Sequence, residues 1–200
     1  MSKIIDKYKY LKNSKIKNII SLSVTLCMLI YNEIIGIYLS SSWNITISIY
    51  FFFLFINRLI LFTNKCKSKK INIIISISLA IESIFLIGPI ILMLMNKKTI
   101  KFSTIFAITM ATYTTYKVVL AILNYTKNKK EGKLQYTINL IDAIVSILNL
   151  QYALIHVFSN KDYQEMWILM IISSVCFYIL IMYIVIKTLN KEIKKGCEKN

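Results

Sequence analysis

The chain has little of what catalytic and metal-binding motifs require. Its 200 residues include four glycines, one proline and a single histidine, His156. Four glycines leave little room for a phosphate-binding loop, and no GxSxG or HExxH motif occurs. One histidine cannot supply the pair that zinc or haem sites normally use. The sequence therefore predicts no catalytic residue, no metal site and no cofactor; an intramembrane enzyme built on Glu33 and Glu82 is a remote alternative with no motif behind it.

Cysteine is also sparse. Cys27, Cys66, Cys176 and Cys197 show none of the paired spacings that are typical of disulfide frameworks or zinc sites. Cys27 and Cys176 lie inside apolar runs, whereas Cys66 and Cys197 lie in basic segments. We therefore expect neither disulfides nor a cysteine metal site.

Acidic residues are few, with nine Asp and Glu against 25 Lys and Arg, which gives a formal net charge of +16. In a soluble protein this excess would suggest a nucleic-acid partner. Here the lysines cluster at the two ends and in alternate loops, which is the positive-inside pattern of membrane proteins. The clusters are Lys3, Lys7, Lys9, Lys12, Lys15 and Lys17; Lys65, Lys67, Lys69 and Lys70; Lys127, Lys129, Lys130 and Lys133; and Lys187, Lys191, Lys194, Lys195 and Lys199. We predict cytoplasmic termini, anionic lipids as partners and no nucleic acid; Lys97, Lys98 and Lys101, which would lie outside, fit this topology poorly.

Long apolar runs fill most of the remaining sequence. Hydrophobic residues make up 56% of the chain and the mean hydropathy is +0.61. Six runs each reach the roughly 20 residues that cross a bilayer as a helix. We predict an all-α polytopic membrane protein, with six transmembrane helices joined by short loops in one domain over residues 1–200. The predicted spans are about 18–39, 45–63, 71–95, 100–124, 136–158 and 166–188.

The segment before the first span is basic, and two interpretations of residues 1–17 stay open. It forms either an interfacial helix or a frayed tail. The heavy use of Ile, Lys and Asn is typical of AT-rich coding and favours a bacterial plasma membrane, with the chain passing through it several times.

Five charged residues lie inside the predicted spans: Glu33, Arg58, Glu82, Lys117 and Asp142. Insertion into hydrocarbon costs about 2.5–3.5 kcal/mol for each such charge. Each one must therefore face a partner or water, and together they are the strongest pointer to function.

The fifth span carries a continuous polar stripe. Its members recur at steps of three and four, which places them on one helical face. They are Gln135, Asn139, Asp142, Ser146, Asn149, Ala153 and His156. Such a face must point into protein or water. It is either the wall of a hydrated path or a helix interface held by side-chain hydrogen bonds.

The fourth span offers a partner for this stripe. Lys117 and Asp142 lie at about the same distance from the lysine loop that joins their spans, so an antiparallel hairpin brings them level. This predicts an ion pair; the alternative is that Lys117 extends its ammonium to the cytoplasmic surface. Tyr113, one turn before Lys117, either lines a small-molecule pocket or packs in the bundle.

The other three charges belong to the first three spans. Glu82 lies near the predicted membrane midplane, and we expect it to pair with Arg58 or to be protonated. Glu33, beside Asn32, has no basic residue level with it, and desolvation without a cation favours a neutral carboxyl. A carboxyl of this kind suits proton-coupled transport, although a permanently protonated hydrogen-bond donor is the alternative.

The sequence favours a small transporter or channel whose polar path is lined by the fourth and fifth helices. Its cargo would be a proton, a cation or a small polar solute. The residues expected to form the path are Asp142, Lys117, Ser146, Asn149, His156, Glu82, Arg58, Glu33, Asn32 and Tyr113. The alternatives are a non-catalytic subunit of a larger transport complex, with a partner membrane protein or ATPase, and a small membrane sensor or immunity protein. A homo-oligomer is compatible with either.

Overall fold

A computed structural model describes residues 2–63, 69–88, 91, 103–127, 133–158 and 163–197. Six α-helices account for nearly all of them, and no strand occurs in these ranges. The helices are α1 (Ser2–Tyr38), α2 (Ser42–Thr63), α3 (Lys69–Phe85), α4 (Thr104–Lys127), α5 (Lys133–Phe158) and α6 (Tyr163–Cys197). The predicted all-α class and the six helices are confirmed.

Five of these helices are long and apolar enough to cross a membrane, by length and composition: α1, α2, α4, α5 and α6. The apolar part of α3, Ile71–Phe85, is shorter. Within the predicted third span, residues 89–90 and 92–95, including Pro89, lie outside the described residues. The apolar helices indicate a membrane protein.

Two helices extend well beyond the predicted spans. α1 has 37 residues, or about 55 Å at the α-helical rise, and runs without a break through the basic segment that precedes the first span. Its first glycine is Gly36, and no proline interrupts it. α6 has 35 residues and continues nine residues past the predicted end at 188. Lysine, glutamate and isoleucine are compatible with a helix outside the membrane as well as inside it. Hydropathy therefore predicts which part of a helix lies in the membrane, but it does not predict where the helix ends.

The chain divides into two compact units, Met1–Cys66 and Lys67–Asn200, called unit 1 and unit 2 below. Unit 1 is a hairpin of α1 and α2. In unit 2, α5 packs against α4 and α6, and α3 packs mainly against α6. The single domain expected from the sequence stays a prediction, because each unit has its own internal packing.

A tight turn joins the helices of unit 1. The N–H of Ser40 donates to the carbonyl of Ile37, and the N–H of Ser41 donates to the carbonyl of Gly36 at 2.9 Å. This pair of bonds is the Schellman motif, which satisfies the last carbonyls of a helix and needs a left-handed residue at the position of Ser40. Ser40 has φ 49°, as the motif requires.

Gly36 allows α1 and α2 to come close at this turn. A Cβ atom built on Gly36 would lie 2.8 Å from Cγ1 of Ile45 and 3.0 Å from its backbone nitrogen. Real Cβ contacts do not reach the first of these distances, so only glycine fits.

In unit 2, α5 is the central helix and has the greatest buried share of the five long apolar helices. In α4, which is less buried than α5, threonines cover more than one face. The half-buried Thr109 and the exposed Thr112 and Thr115 each donate to the carbonyl four residues earlier, at 2.8–2.9 Å. A threonine that bonds its own helix needs no partner elsewhere, so it can face lipid.

Candidate functional site

A buried ion pair lies between α4 and α5. Nζ of Lys117 is 2.6 Å from Oδ2 of Asp142, and the two side chains are 1% and 0% exposed. The pair predicted from the equal depth of these residues is therefore present, and the Lys117 ammonium does not extend to the surface. Because both groups are removed from solvent, their attraction is hardly screened, and each is the main compensation for burying the other.

Tyr113 completes the ion pair. Its hydroxyl donates to Oδ1 of Asp142 at 3.0 Å, so both carboxylate oxygens have a partner on α4. The Lys117 ammonium lies 5.1 Å from the centroid of the Tyr113 ring and 5.9 Å from that of Tyr116. Aromatic faces at this distance attract a cation. Tyr113 thus contacts both charges, and Tyr116 gives the ammonium a second aromatic neighbour.

The polar stripe of α5 continues away from the pair, and α4 contacts it at each turn. Thr114 donates from Oγ1 to the carbonyl of Ser146 at 2.9 Å. Asn149 donates from Nδ2 to the thioether sulfur of Met110 at 3.4 Å. Ser146 bonds the carbonyl of Ala143 within its own helix. Together with the ion pair these contacts form a buried polar column, defined here as Asp142, Ser146 and Asn149 of α5 with their partners on α4.

His156 lies at the end of this stripe and is half-buried. Its Nδ1 is 3.0 Å from the carbonyl of Tyr152. The imidazole and the Tyr152 ring lie with their centroids 4.2 Å apart and their planes tilted by 37°. At the other end Asn139 is buried while Gln135 is exposed. The stripe is therefore enclosed from Asn139 to Ala153 and reaches the surface at both ends.

Glu82 belongs to unit 2 but is not part of the column. It is 1% exposed on α3. Next to it Ser83 donates to Sδ of Met182 on α6 at 3.2 Å. The pair predicted between Glu82 and Arg58 would join the two units, and it stays a prediction.

In unit 1, Arg58 and Asn32 lie inside the α1–α2 hairpin. The Arg58 guanidinium donates to Oγ of Ser21 on α1. Asn32 is fully buried, and its Nδ2 donates to the carbonyl of Met28 at 2.8 Å. Both side chains therefore have roles in the hairpin itself.

Glu33 does not share the burial of its neighbour Asn32. Successive helical residues are about 100° apart, so a helix that turns Asn32 towards α2 places Glu33 on the outer face, where it is exposed. The neutral carboxyl expected from the sequence at this position stays a prediction.

Sequence reasoning missed Asn44 and Met110. Asn44 is fully buried at the start of α2, where a position near a helix end looked like an interface with water. Met110 is 0% exposed and receives the Asn149 amide, a contact for which apolar periodicity gives no signal. In the described parts of the chain, no group of three or more His, Cys, Asp or Glu residues could hold a metal ion.

No protein-family model, curated protein or solved structure matches this chain.

Proposed function

We propose that this protein is a small membrane transporter or channel, and that its path runs between α4 and α5. The observation that carries the proposal is the ion pair of Lys117 and Asp142, which has Tyr113 on its second carboxylate oxygen and less than 2% exposure on either side. Buried ion pairs are often no more stable than well-packed apolar residues. A charged residue inside a membrane is therefore taken first as a candidate functional residue, and here each of the two charges has an identified partner.

The charge of the pair limits how cargo can bind. The charges of Lys117 and Asp142 sum to zero. A proton or metal cation that binds Asp142 therefore leaves the Lys117 ammonium without its counter-ion. The rings of Tyr113 and Tyr116 lie within 6 Å of that ammonium and offer a second place for it. A cation would thus bind Asp142 while Lys117 keeps its contacts with the two aromatic rings. A small polar solute would instead use the hydroxyl and amide groups of the column.

The proposed location is a bacterial plasma membrane, with several passes and both termini in the cytoplasm. Its support is the alternation of lysine clusters with loops that hold fewer basic residues. Accessibility of single cysteines to a membrane-impermeant thiol reagent in intact cells tests the orientation. Labelling of Cys197 or Cys66 from outside would contradict it.

Ion flux into vesicles tests the transport proposal. The protein is purified and reconstituted into liposomes that contain a pH-sensitive dye, and proton, Na⁺ and K⁺ gradients are applied in turn. We expect flux with the wild-type chain and loss of flux with Asp142→Asn. Thr115→Val is the matched control, because the Thr115 hydroxyl is exposed and bonds only its own helix at Ala111. Its flux should equal that of the wild type.

Each outcome of this assay has a defined meaning. Equal flux in wild type and Asp142→Asn, with both proteins monodisperse in detergent, removes Asp142 from the path. A lack of flux with every ion and with radiolabelled polar solutes argues against an autonomous transporter. Native mass spectrometry of the protein extracted gently from its own membrane then tests the alternative, since a polypeptide bound at fixed stoichiometry would identify this chain as a subunit of a larger complex.

A further inference from the structure

The α1–α2 hairpin of unit 1 has a polar interior of its own, separate from the column of unit 2. Among the described side chains, seven polar ones on its two helices are at most 9% exposed. They are Ser21, Thr25 and Asn32 on α1, and Asn44, Ser48, Asn57 and Arg58 on α2. We call them the unit 1 seam. The proposed transport path uses none of its contacts.

Partners within the hairpin satisfy several members of the seam. Thr25 donates to the carbonyl of Ser21 at 2.8 Å. Ser48 donates to the carbonyl of Leu29 across the hairpin at 3.4 Å, and Arg58 donates to Ser21. These bonds show that the hairpin is built to hold polar groups away from lipid.

Asn44 differs from these residues. Its side chain is 0% exposed, and neither Nδ2 nor Oδ1 has a hydrogen-bond partner among the described residues. On the facing helix Asn32 uses its Nδ2 but leaves Oδ1 unmatched in the same part of the chain. A buried amide that makes no hydrogen bond is costly in an apolar environment.

The local backbone explains why Asn44 finds no partner nearby. Asn44 is the third residue of α2, and its N–H donates to Oγ of Ser41, which caps the helix. In a capping box, a Glu or Gln side chain at this position reaches back to the N–H of the capping residue. Here the N–H of Ser41 already donates to Gly36 as part of the turn that ends α1. The Schellman motif thus occupies the N–H that a capping box would offer to the Asn44 side-chain oxygen.

Water fits the two unmatched groups of Asn44. One water molecule can donate to Oδ1 and accept from Nδ2, and buried waters typically make about three hydrogen bonds to groups of this kind. Asn44 lies about 3 Å along the helix axis from the first residue of α2, beside the exposed Ser40 and Ser42 of the turn. Water therefore has a short way to reach it.

We propose that the Asn44 carboxamide is an internal water-binding site at the α1–α2 turn. Its ligand is water and not an ion, because the carboxamide is neutral and the nearest described charge of the seam, Arg58, lies 14 residues along α2. The water would complete the hydrogen bonding that the turn denies to Asn44 and would hydrate that end of the seam.

Solid-state NMR of the wild-type protein in lipid bilayers tests this site. Magnetisation is transferred from water to the side-chain amides of ¹⁵N-labelled protein, and the Asn44 signal is assigned by its disappearance in Asn44→Asp. We expect rapid transfer to the Asn44 amide. The backbone amide of Phe51 is the dry reference, because it lies inside the same helix at a residue with 0% exposure.

Two results would overturn the proposal. One is the absence of magnetisation transfer from water to Asn44 at mixing times at which transfer to the exposed Ser40 is detected. The other is equal transfer to Asn44 and Phe51, which would indicate general water penetration of the hairpin. The melting temperature of Asn44→Leu gives an independent reading: we expect it to be no higher than that of the wild type, whereas a clear rise would mean that the carboxamide is dry and unpaired.

Discussion

Removing one partner of the Lys117–Asp142 pair should destabilise the protein far more than removing both. Each side chain is at most 1% exposed, so a single substitution leaves the remaining charge buried without its counter-ion. The cost of such a break is about 3–5 kcal/mol in the free energy of unfolding. Lys117→Met and Asp142→Ala should each lose about this much, whereas the double variant should lose less than about 2 kcal/mol, because it leaves no unpaired charge.

The coupling energy between the two sites should therefore be at least about 4 kcal/mol. It is measured as a double-mutant cycle by reversible unfolding in mixed micelles, followed by circular dichroism. Tyr113→Phe extends the cycle. In the wild-type background it removes a hydrogen bond to a charged group, at a cost of about 1.5–3 kcal/mol. In the double variant it should cost much less, because Asp142 is no longer there to accept the bond.

A control cycle pairs Lys117→Met with Ser173→Ala. Ser173 donates to Oε1 of Gln151, which lies nine residues along α5 from Asp142, or about 13 Å. At this separation the two effects should add to within about 0.5 kcal/mol. If the Lys117→Met/Asp142→Ala variant is as damaged as Lys117→Met alone, charge pairing is not what stabilises this interface, and the argument fails.

Three further predictions concern local packing and share the same unfolding assay. Gly36→Ala should cost about 1–3 kcal/mol, because the new Cβ would clash with Ile45; an unchanged stability would mean that the turn opens freely. Ser40→Gly should stabilise the protein by about 0.5–1 kcal/mol, because glycine adopts φ 49° without strain, and a loss of stability would argue against the left-handed turn. Thr114→Val should cost about 0.6–1 kcal/mol through its lost bond to the Ser146 carbonyl, while the exposed Thr112→Val should cost less.

Periodicity and charge predicted the α4–α5 interface well. Two apolar runs joined by a short loop must be antiparallel neighbours, and this alone brings Lys117 level with Asp142. The cost of a charge in hydrocarbon then requires contact between them, which the 2.6 Å distance shows. Neither step depends on how the other side chains pack, so the sequence alone was enough to predict this ion pair.

Prediction failed where one side chain depends on another part of the backbone. Asn44 has no side-chain partner among the described residues, and the nearby N–H of Ser41 donates to Gly36 instead. No pattern of residue types predicts such a turn with serine at its left-handed position. The face of α1 that meets α2 was hard to predict for a related reason. The weakly polar Ser21 and Thr25 lie on that face, and they gave less signal than the carboxylate of Glu33, which is exposed.

The contacts of the buried column bear on how a path between α4 and α5 could open. The Lys117–Asp142 pair, the Thr114 bond to Ser146 and the Asn149 contact with Met110 all cross from one helix to the other. Separating the helices breaks every one of them, and the polar groups released would then need water or cargo. A purely structural interface would keep its stability when its polar residues are replaced together by apolar ones.

The stability of the Lys117→Met/Asp142→Ala variant and the flux of Asp142→Asn are therefore interpreted together. A transport path requires that the double variant is stable and that flux is lost in Asp142→Asn. A purely structural interface does not predict the loss of flux.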